Sequence, residues 1–312
     1  MSKHISHLGF PRQEALILIN NVISRFDSLW RDSKKSQPEK GKYVRSAAGT
    51  PLHKLLRKID RRVLAPYDGL LPNFIFGGKS GVSHVNAAYH ILGDKRQRSL
   101  LKLDLKKFFE QVDSGQVARL FEKRLFCDRR VAKIISNICC VPLGPKGASS
   151  SEKTIARGFA TSSRLAVWCN LDVFFRLDWL IKKRLRGHDP RLVIYVDDIG
   201  ISASRISEEE LDKLAVEIKE ILESGKYGKQ LLLNDEKKSI RSHSEGMEFL
   251  GTRLRRNKLS LGGKSYGKRE KIKNALRKER SSSVKKDLKR RYKGIATYKR
   301  HIESFKTTFQ QR

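Results

Sequence analysis

Apolar positions along this chain fall into two periods, and they predict helices and strands in alternation. Between residues 11 and 31 they recur at helical spacing, with Leu16, Ile19, Ile23 and Phe26 on one face and Pro11 suited to a first turn. The polar stretch 32–42, with Pro38 and Gly41, predicts a loop. Residues 51–64 form an amphipathic pattern whose outer positions, Lys54, Arg57, Arg61 and Arg62, are basic. Residues 66–81 are turn-rich. Helices are expected over 82–92, 114–125 and 129–139, with a strand at 99–105 between the first two. A loop at 142–153 precedes one long helix, 163–185, and another helix is expected at 207–223. Two short β-branched runs, 191–196 and 199–203, lie between these helices, and further β segments are expected at 230–233 and 248–254. From Lys264 onward the period is helical, with a break at 281–283. Ile295, Tyr298, Ile302 and Phe305 keep that spacing, which argues for packing over a disordered tail.

Composition changes the picture through charge. The 312 residues suit one large domain or two to three subdomains, and 38% hydrophobic content with 14 Phe and 8 Tyr suffices for a folded core. Against 33 acidic residues stand 67 basic ones, a net charge of +34, and a polyanion is the natural partner. Nucleic acid is favoured over an anionic membrane, because the basic residues are spread along the chain and no segment has a membrane-span pattern. The apolar run 15–19 is short and has no cleavage pattern, so no signal peptide is expected. Cys127, Cys139, Cys140 and Cys169 show no metal spacing and read as reduced, mostly buried thiols of a cytosolic protein. The segment from Lys264 carries 18 basic and 4 acidic residues.

The only polar break between the two β-branched runs is Asp197-Asp198, within Tyr195-Val196-Asp197-Asp198. Two readings stand at this point. Asp favours turns for backbone reasons alone. Alternatively, adjacent carboxylates at a hairpin tip repel one another and suit a divalent cation such as magnesium. Asp104, near the end of the apolar strand at 99–105 and followed by Phe108 and Phe109, offers a third carboxylate.

Joined to three further blocks, these residues resemble the reverse transcriptases. Asp104 with Phe108-Phe109 is similar to the first catalytic block of that family. Arg157-Gly158-Phe159-Ala160-Thr161-Ser162-Ser163 resembles its glycine-and-serine block, and Tyr195-Val196-Asp197-Asp198 its catalytic hairpin. Leu232 to Lys237 resembles the block that follows, and Phe249-Leu250-Gly251-Thr252 the hairpin that grips the primer. The resemblance implies an α+β, right-hand polymerase fold: fingers, a palm of antiparallel sheet packed on helices, and a short helical thumb. N-terminal helices and fingers would span 1–98, the palm 99–255 with a fingers insertion at about 114–160, and the basic thumb 256–312.

The same resemblance implies nucleotidyl transfer with two Mg2+ ions, Mn2+ being a substitute, held by Asp104, Asp197, Asp198 and the Leu105 carbonyl. It makes Phe109 a gate against ribose 2′ hydroxyls, or else a core aromatic, and Arg157, Gly158 and Lys237 nucleotide contacts. Phe249, Leu250 and Gly251 become the primer grip. Two positions depart from the family: Arg157 replaces its usual Gln, keeping donors but losing an acceptor, and Val196 is bulkier than the Ala of small bacterial relatives. Val196 is expected to press on the primer terminus.

Asn86-Ala87-Ala88-Tyr89-His90 and Ile138-Cys139-Cys140 resemble retrons, bacterial enzymes that copy a partner non-coding RNA in antiphage defence. Against that, Phe249-Leu250-Gly251 stands where retrons carry Val-Thr-Gly, so defence-associated reverse transcriptases with other priming, or with untemplated or repetitive synthesis, remain open. So does an RNA-binding scaffold with a degenerate polymerase core. The implied partners are a structured non-coding RNA template, an RNA–DNA duplex product, deoxynucleoside triphosphates and an effector protein, with no membrane, in the bacterial cytoplasm. Asn86, His90, Lys54, Arg57, Arg61, Lys285, Lys286, Arg290 and Arg291 are the RNA-binding candidates.

Overall fold

The computed structural model describes residues 12–93, 97–226, 228–242, 245–255 and 258–309. Expectations for Pro11 and for the Phe305 side chain lie outside the described residues. Helix α1 (Arg12–Ser24) is shorter than the 11–31 period suggests. It stops where hydroxyls take backbone carbonyls: Ser24 Oγ donates to Asn21 O at 3.2 Å and Ser28 Oγ to Arg25 O at 2.8 Å. Val22 is buried, Leu18, Ile19 and Phe26 pack on the core, and Ile23 is 47% exposed. The unbroken apolar run 15–19 does not distinguish one face from another.

Strand β1 (Arg31–Asp32) pairs with β2 (Arg45–Ser46), enclosing the loop expected at 32–42. α2 (Pro51–Lys58) starts at Thr50, whose side chain accepts from the His53 amide, and widens into a π-helical turn at Ile59–Leu64. Lys54, Arg57, Arg61 and Arg62 stay exposed along it. α3 (His84–Leu92) opens with a capping box between Ser83 and Asn86. β3 (Arg98–Asp104) leads to α4 (Ser114–Arg119) and α5 (Arg129–Cys139), then β4 (Cys140–Pro142) and β5 (Lys153–Ile155), which pair around the expected loop.

The helix expected at 163–185 is two helices, α6 (Ser162–Cys169) and α7 (Leu171–Arg184). Buried Asn170 causes the break: its amide donates to Ala166 O at 2.8 Å and satisfies a terminal carbonyl. β6 (Arg191–Tyr195), β7 (Asp198–Ser204), α8 (Glu208–Glu223) and β8 (Ser239–Ser242) follow. β9 (Met247–Phe249), β10 (Thr252–Arg255) and β11 (Lys258–Leu261) form a three-stranded sheet, followed by α9 (Gly263–Lys278) and α10 (Ser282–Phe309).

The central sheet is antiparallel, in the order β6-β7-β3-β8. The strand expected at 230–233 does not form; only Leu233 bridges Leu105. The Leu232 amide is taken instead by the Gln111 side chain at 2.8 Å, which removes a ladder bond. A main apolar core lies between the sheet and the surrounding helices, and a second joins α3, β9 to β11 and α10. This is the mixed architecture expected of the right-hand polymerases. All four cysteines are free, and burial pushes the Cys139 thiol up to about 12. Among the described residues no helix is long and apolar enough to cross a membrane.

Candidate active site

Register brings the three carboxylates together. Asp104 ends β3 directly opposite Asp198, the first residue of β7, and Tyr195 pairs Asp198 across the hairpin. The turn therefore holds only Val196 and Asp197, and Val196 takes the left-handed region at φ 60°. A β-branched residue is strained there, so neighbours must hold it. The Phe76 and Gly77 amides donate to Ile194 O at 2.9 and 3.2 Å, and the Leu105 amide donates to Asp197 O at 2.8 Å. A Cβ on Gly77 would lie 2.3 Å from the Val196 nitrogen, so only glycine fits behind the turn.

Electrostatics sets the site apart. Burial, then Asp104, raises the Asp197 carboxyl above its usual range. Burial, then repulsion from Asp197 and Asp104, raises Asp198 to about 6. Lys237 Nζ lies 2.8 Å from both Asp104 oxygens, and this bond raises its own pKa. Among the described residues no three His, Cys, Asp or Glu side chains converge closely enough to hold an ion as they stand. Asp104 faces an ammonium group instead. The donor set nevertheless fits a divalent cation: hard oxygens, mutual repulsion, and a lysine occupying the place of a positive charge.

A stability prediction follows from the raised carboxyl. A folded pKa near 6 against an unfolded 3.8 means that Asp198 contributes stability below 3.8 that is lost as pH rises through 6. Asp198→Asn is thus expected to stabilise the fold at pH 7 by about 1–2 kcal/mol, with the gain shrinking towards pH 5. Magnesium should raise the wild-type melting temperature more than that of the variant. Thermal melts at both pH values check this, and an Asn variant no more stable than wild type at pH 7 contradicts it.

Asp104 and Asp197 open on a pocket of about 410 Å³ lined also by Leu105, Arg157 and Lys237, and by Lys40, Lys42, Lys106 and Lys107. These last four lysines carry no sequence signal among so many basic residues. Lys40 and Lys42 come from the loop between β1 and β2. Arg157 is gripped by Glu110 through Nε at 3.1 Å and Nη2 at 2.9 Å, and its guanidinium lies 4.7 Å from the Phe109 ring centre. Glu110 thus fixes the Arg157 guanidinium in place. Phe109 is 8% exposed and backs Arg157. Gly158, at φ 101°, packs so tightly on Arg45 that a Cβ would meet its carbonyl at 2.5 Å.

The Phe249 ring is held against β7 of the Asp197-Asp198 hairpin. Leu250 and Gly251 turn through φ 49° and 73°, and the Phe249 ring lies where a Cβ on Gly200 would be, 2.6 Å away. Tyr195, Leu250 and Tyr298 border the second core, so the hairpin, residues 249–251 and α10 share one packing unit. Asn86 and His90 have structural work: Asn86 Oδ1 accepts from the Ser83 amide at 2.8 Å, and the His90 ring packs on Phe76 at 5.2 Å. Burial lowers His90 to about 4, so it is neutral near pH 7. Lys286, Arg290 and Arg291 are exposed on α10 and Lys285 is half-buried; Arg290 pairs with Asp287 at 2.7 Å.

The family described as reverse transcriptase (RNA-dependent DNA polymerase) matches residues 34–254. No curated protein matches the sequence. Among solved structures, a telomerase from Candida albicans, in complex with a fragment of telomeric RNA, is similar at 13% identity and a TM-score of 0.44, covering 68% of this chain and 38% of that one. An apo telomerase from Candida tropicalis, truncated from its C-terminal domain, is similar at 15% identity and a TM-score of 0.45, covering 81% of this chain and 60% of the other. The chain spans less than two thirds of either.

Proposed function

Since this chain belongs to the reverse transcriptase family, we propose that it is an RNA-directed DNA polymerase acting through Asp104, Asp197 and Asp198. The observation that carries this reading is one pocket whose lining joins the Asp104 and Asp197 carboxylates to Arg157 and five lysines, Lys40, Lys42, Lys106, Lys107 and Lys237. Such a pocket suits a triphosphate whose charge must be balanced while a phosphorus–oxygen bond is made and another broken. The three aspartates and the Leu105 carbonyl would hold a pair of divalent ions, Mg2+ or in its place Mn2+, which would supply Lewis-acid chemistry at the primer hydroxyl and charge balance for the pyrophosphate.

The chain's own residues do the rest. Arg157, Lys40, Lys42, Lys106 and Lys107 hold phosphate oxygens of the deoxynucleoside triphosphate. Lys237 Nζ, on leaving Asp104, pairs with the pyrophosphate or gives it a proton. Phe109, beneath Arg157, acts as the sugar gate, and Val196 with Phe249, Leu250 and Gly251 sets the primer end. Fingers over 1–98, palm over 99–255 and thumb over 256–312 divide these roles. The exposed lysines and arginines of α2 and α10 bind the RNA–DNA duplex.

Within the family we propose the retron type, with a structured non-coding RNA as template, an effector protein, and antiphage defence in the bacterial cytoplasm as its setting. Asn86 to His90 and Ile138-Cys139-Cys140 support this subtype through their resemblance alone. Sequencing the nucleic acid that co-purifies, including its terminal linkage, tests it. DNA joined to an RNA 2′ hydroxyl is the expected product. DNA primed from a protein side chain, or untemplated repeats, would move the chain to another defence-associated group.

A further inference from the structure

Three exposed aromatic side chains lie on two segments that an ion pair joins, and none lines the pocket. Phe126 is 83% exposed, Phe175 49% and Trp179 47%. Arg124 Nη2 lies 2.5 Å from Asp172 Oδ2, which ties the turn carrying Phe126 to the first turn of α7. Phe126 is held outward. Its neighbours Leu125 and Cys127 are both buried, the backbone turns through φ 52° at Phe126, and the Cys127 amide returns to Phe121 O at 2.8 Å. A bulky residue in the left-handed region is strained, and such strain concentrates at functional positions.

On α7, Asp172, Phe175, Arg176, Trp179 and Lys183 share the outer face, while Phe174, Leu177 and Ile181 are buried. Arg176 Cζ lies 3.9 Å and Lys183 Nζ 5.0 Å from the Trp179 ring centre. Residues 122–133 and 171–186 together hold ten basic and four acidic residues. Three of those acids are already paired, Glu122 with Lys123, Asp172 with Arg124 and Asp178 with Lys182, so the remaining field is positive.

We propose that this face is a stacking platform for unpaired nucleotides of single-stranded nucleic acid outside the duplex channel. Base faces meet Phe126 and Phe175, whose ring stands edge-on to Phe74 at 5.9 Å, and at Trp179 a base displaces Arg176 from over the ring; phosphates meet Lys123, the displaced Arg176 and Lys183. Rings interleaved with cations suit a single strand, because a duplex hides its base faces and the centre of a protein interface is depleted of charge.

Trp179 provides the readout, since Trp30 and Trp168 are 4% and 7% exposed. Adding a single-stranded oligonucleotide to the full chain should quench tryptophan fluorescence, and Trp179→Phe should abolish the quench while largely keeping the affinity. Phe126→Ala and Trp179→Ala are each expected to weaken single-strand binding about fivefold or more. Both should leave extension of a short, blunt-tailed primer–template unchanged. Oligoribonucleotide and oligodeoxynucleotide arms show which strand the face takes. Binding needs no catalysis, so its failure is separable from failure of the polymerase reading. Unchanged affinity in both alanine variants, with an unresponsive Trp179, overturns the proposal and leaves the face to a protein partner.

Discussion

Replacing Asp104 by Asn or Asp197 by Ala is expected to cut DNA synthesis by about a thousandfold or more, some 4 kcal/mol of transition-state stabilisation. Asp104 ends one strand and Asp197 sits in the turn that leads into another, and register sets Asp104 opposite Asp198, the residue after Asp197. Neither change should unfold the protein. Asp197 sits in a two-residue turn where burial and Asp104 already penalise its charge, so its removal relieves repulsion. The melting temperature of Asp197→Ala should therefore equal or exceed that of the wild type without added metal. A variant that loses activity and stability together would point to a structural aspartate instead. Primer extension beside thermal melts separates the two outcomes.

Gly77→Ala is expected to lower synthesis by about a hundredfold without touching any reacting group. Its added methyl would meet the Val196 nitrogen at 2.3 Å and the Tyr195 carbonyl carbon at 2.7 Å. Backbone cannot rotate aside as a side chain can, so the hairpin tip carrying Asp197 must shift. An ångström at the tip misplaces the carboxylates relative to Asp104. Gly69→Ala serves as the control, since nothing lies within 4 Å of its Cβ position. Equal activity in the two variants, measured by single-nucleotide incorporation, would show that the turn tolerates displacement.

The chemistry of the site was legible in the sequence because its carboxylates interrupt apolar strands, where a charge is conspicuous. Asp104, Asp197 and Asp198 stood out for that reason. The lysines that line the same pocket did not. Lys40, Lys42, Lys106 and Lys107 are four of 67 basic residues, and only the fold selects them. Gly77 and Gly200 were equally silent, since a glycine's role depends on which backbone or ring lies against it. Helix existence was readable from period, but ends were not: Asn170 divides one predicted helix by capping it with its side chain. The expected strand at 230–233 was lost to a side-chain bond from Gln111, which no local pattern announces. Asn86 and His90 show the reverse, residues singled out by resemblance that the fold also uses for capping and packing.

The proposed reaction joins deoxynucleotides to a primer in the pocket as an RNA template directs. The most direct measurement supplies the purified chain with an RNA template, an annealed primer, single deoxynucleotides and magnesium, beside Asp197→Ala. The expected result is extension only by the nucleotide complementary to the next template base, and none in the variant. Extension indifferent to the template, or retained by Asp197→Ala, would contradict it.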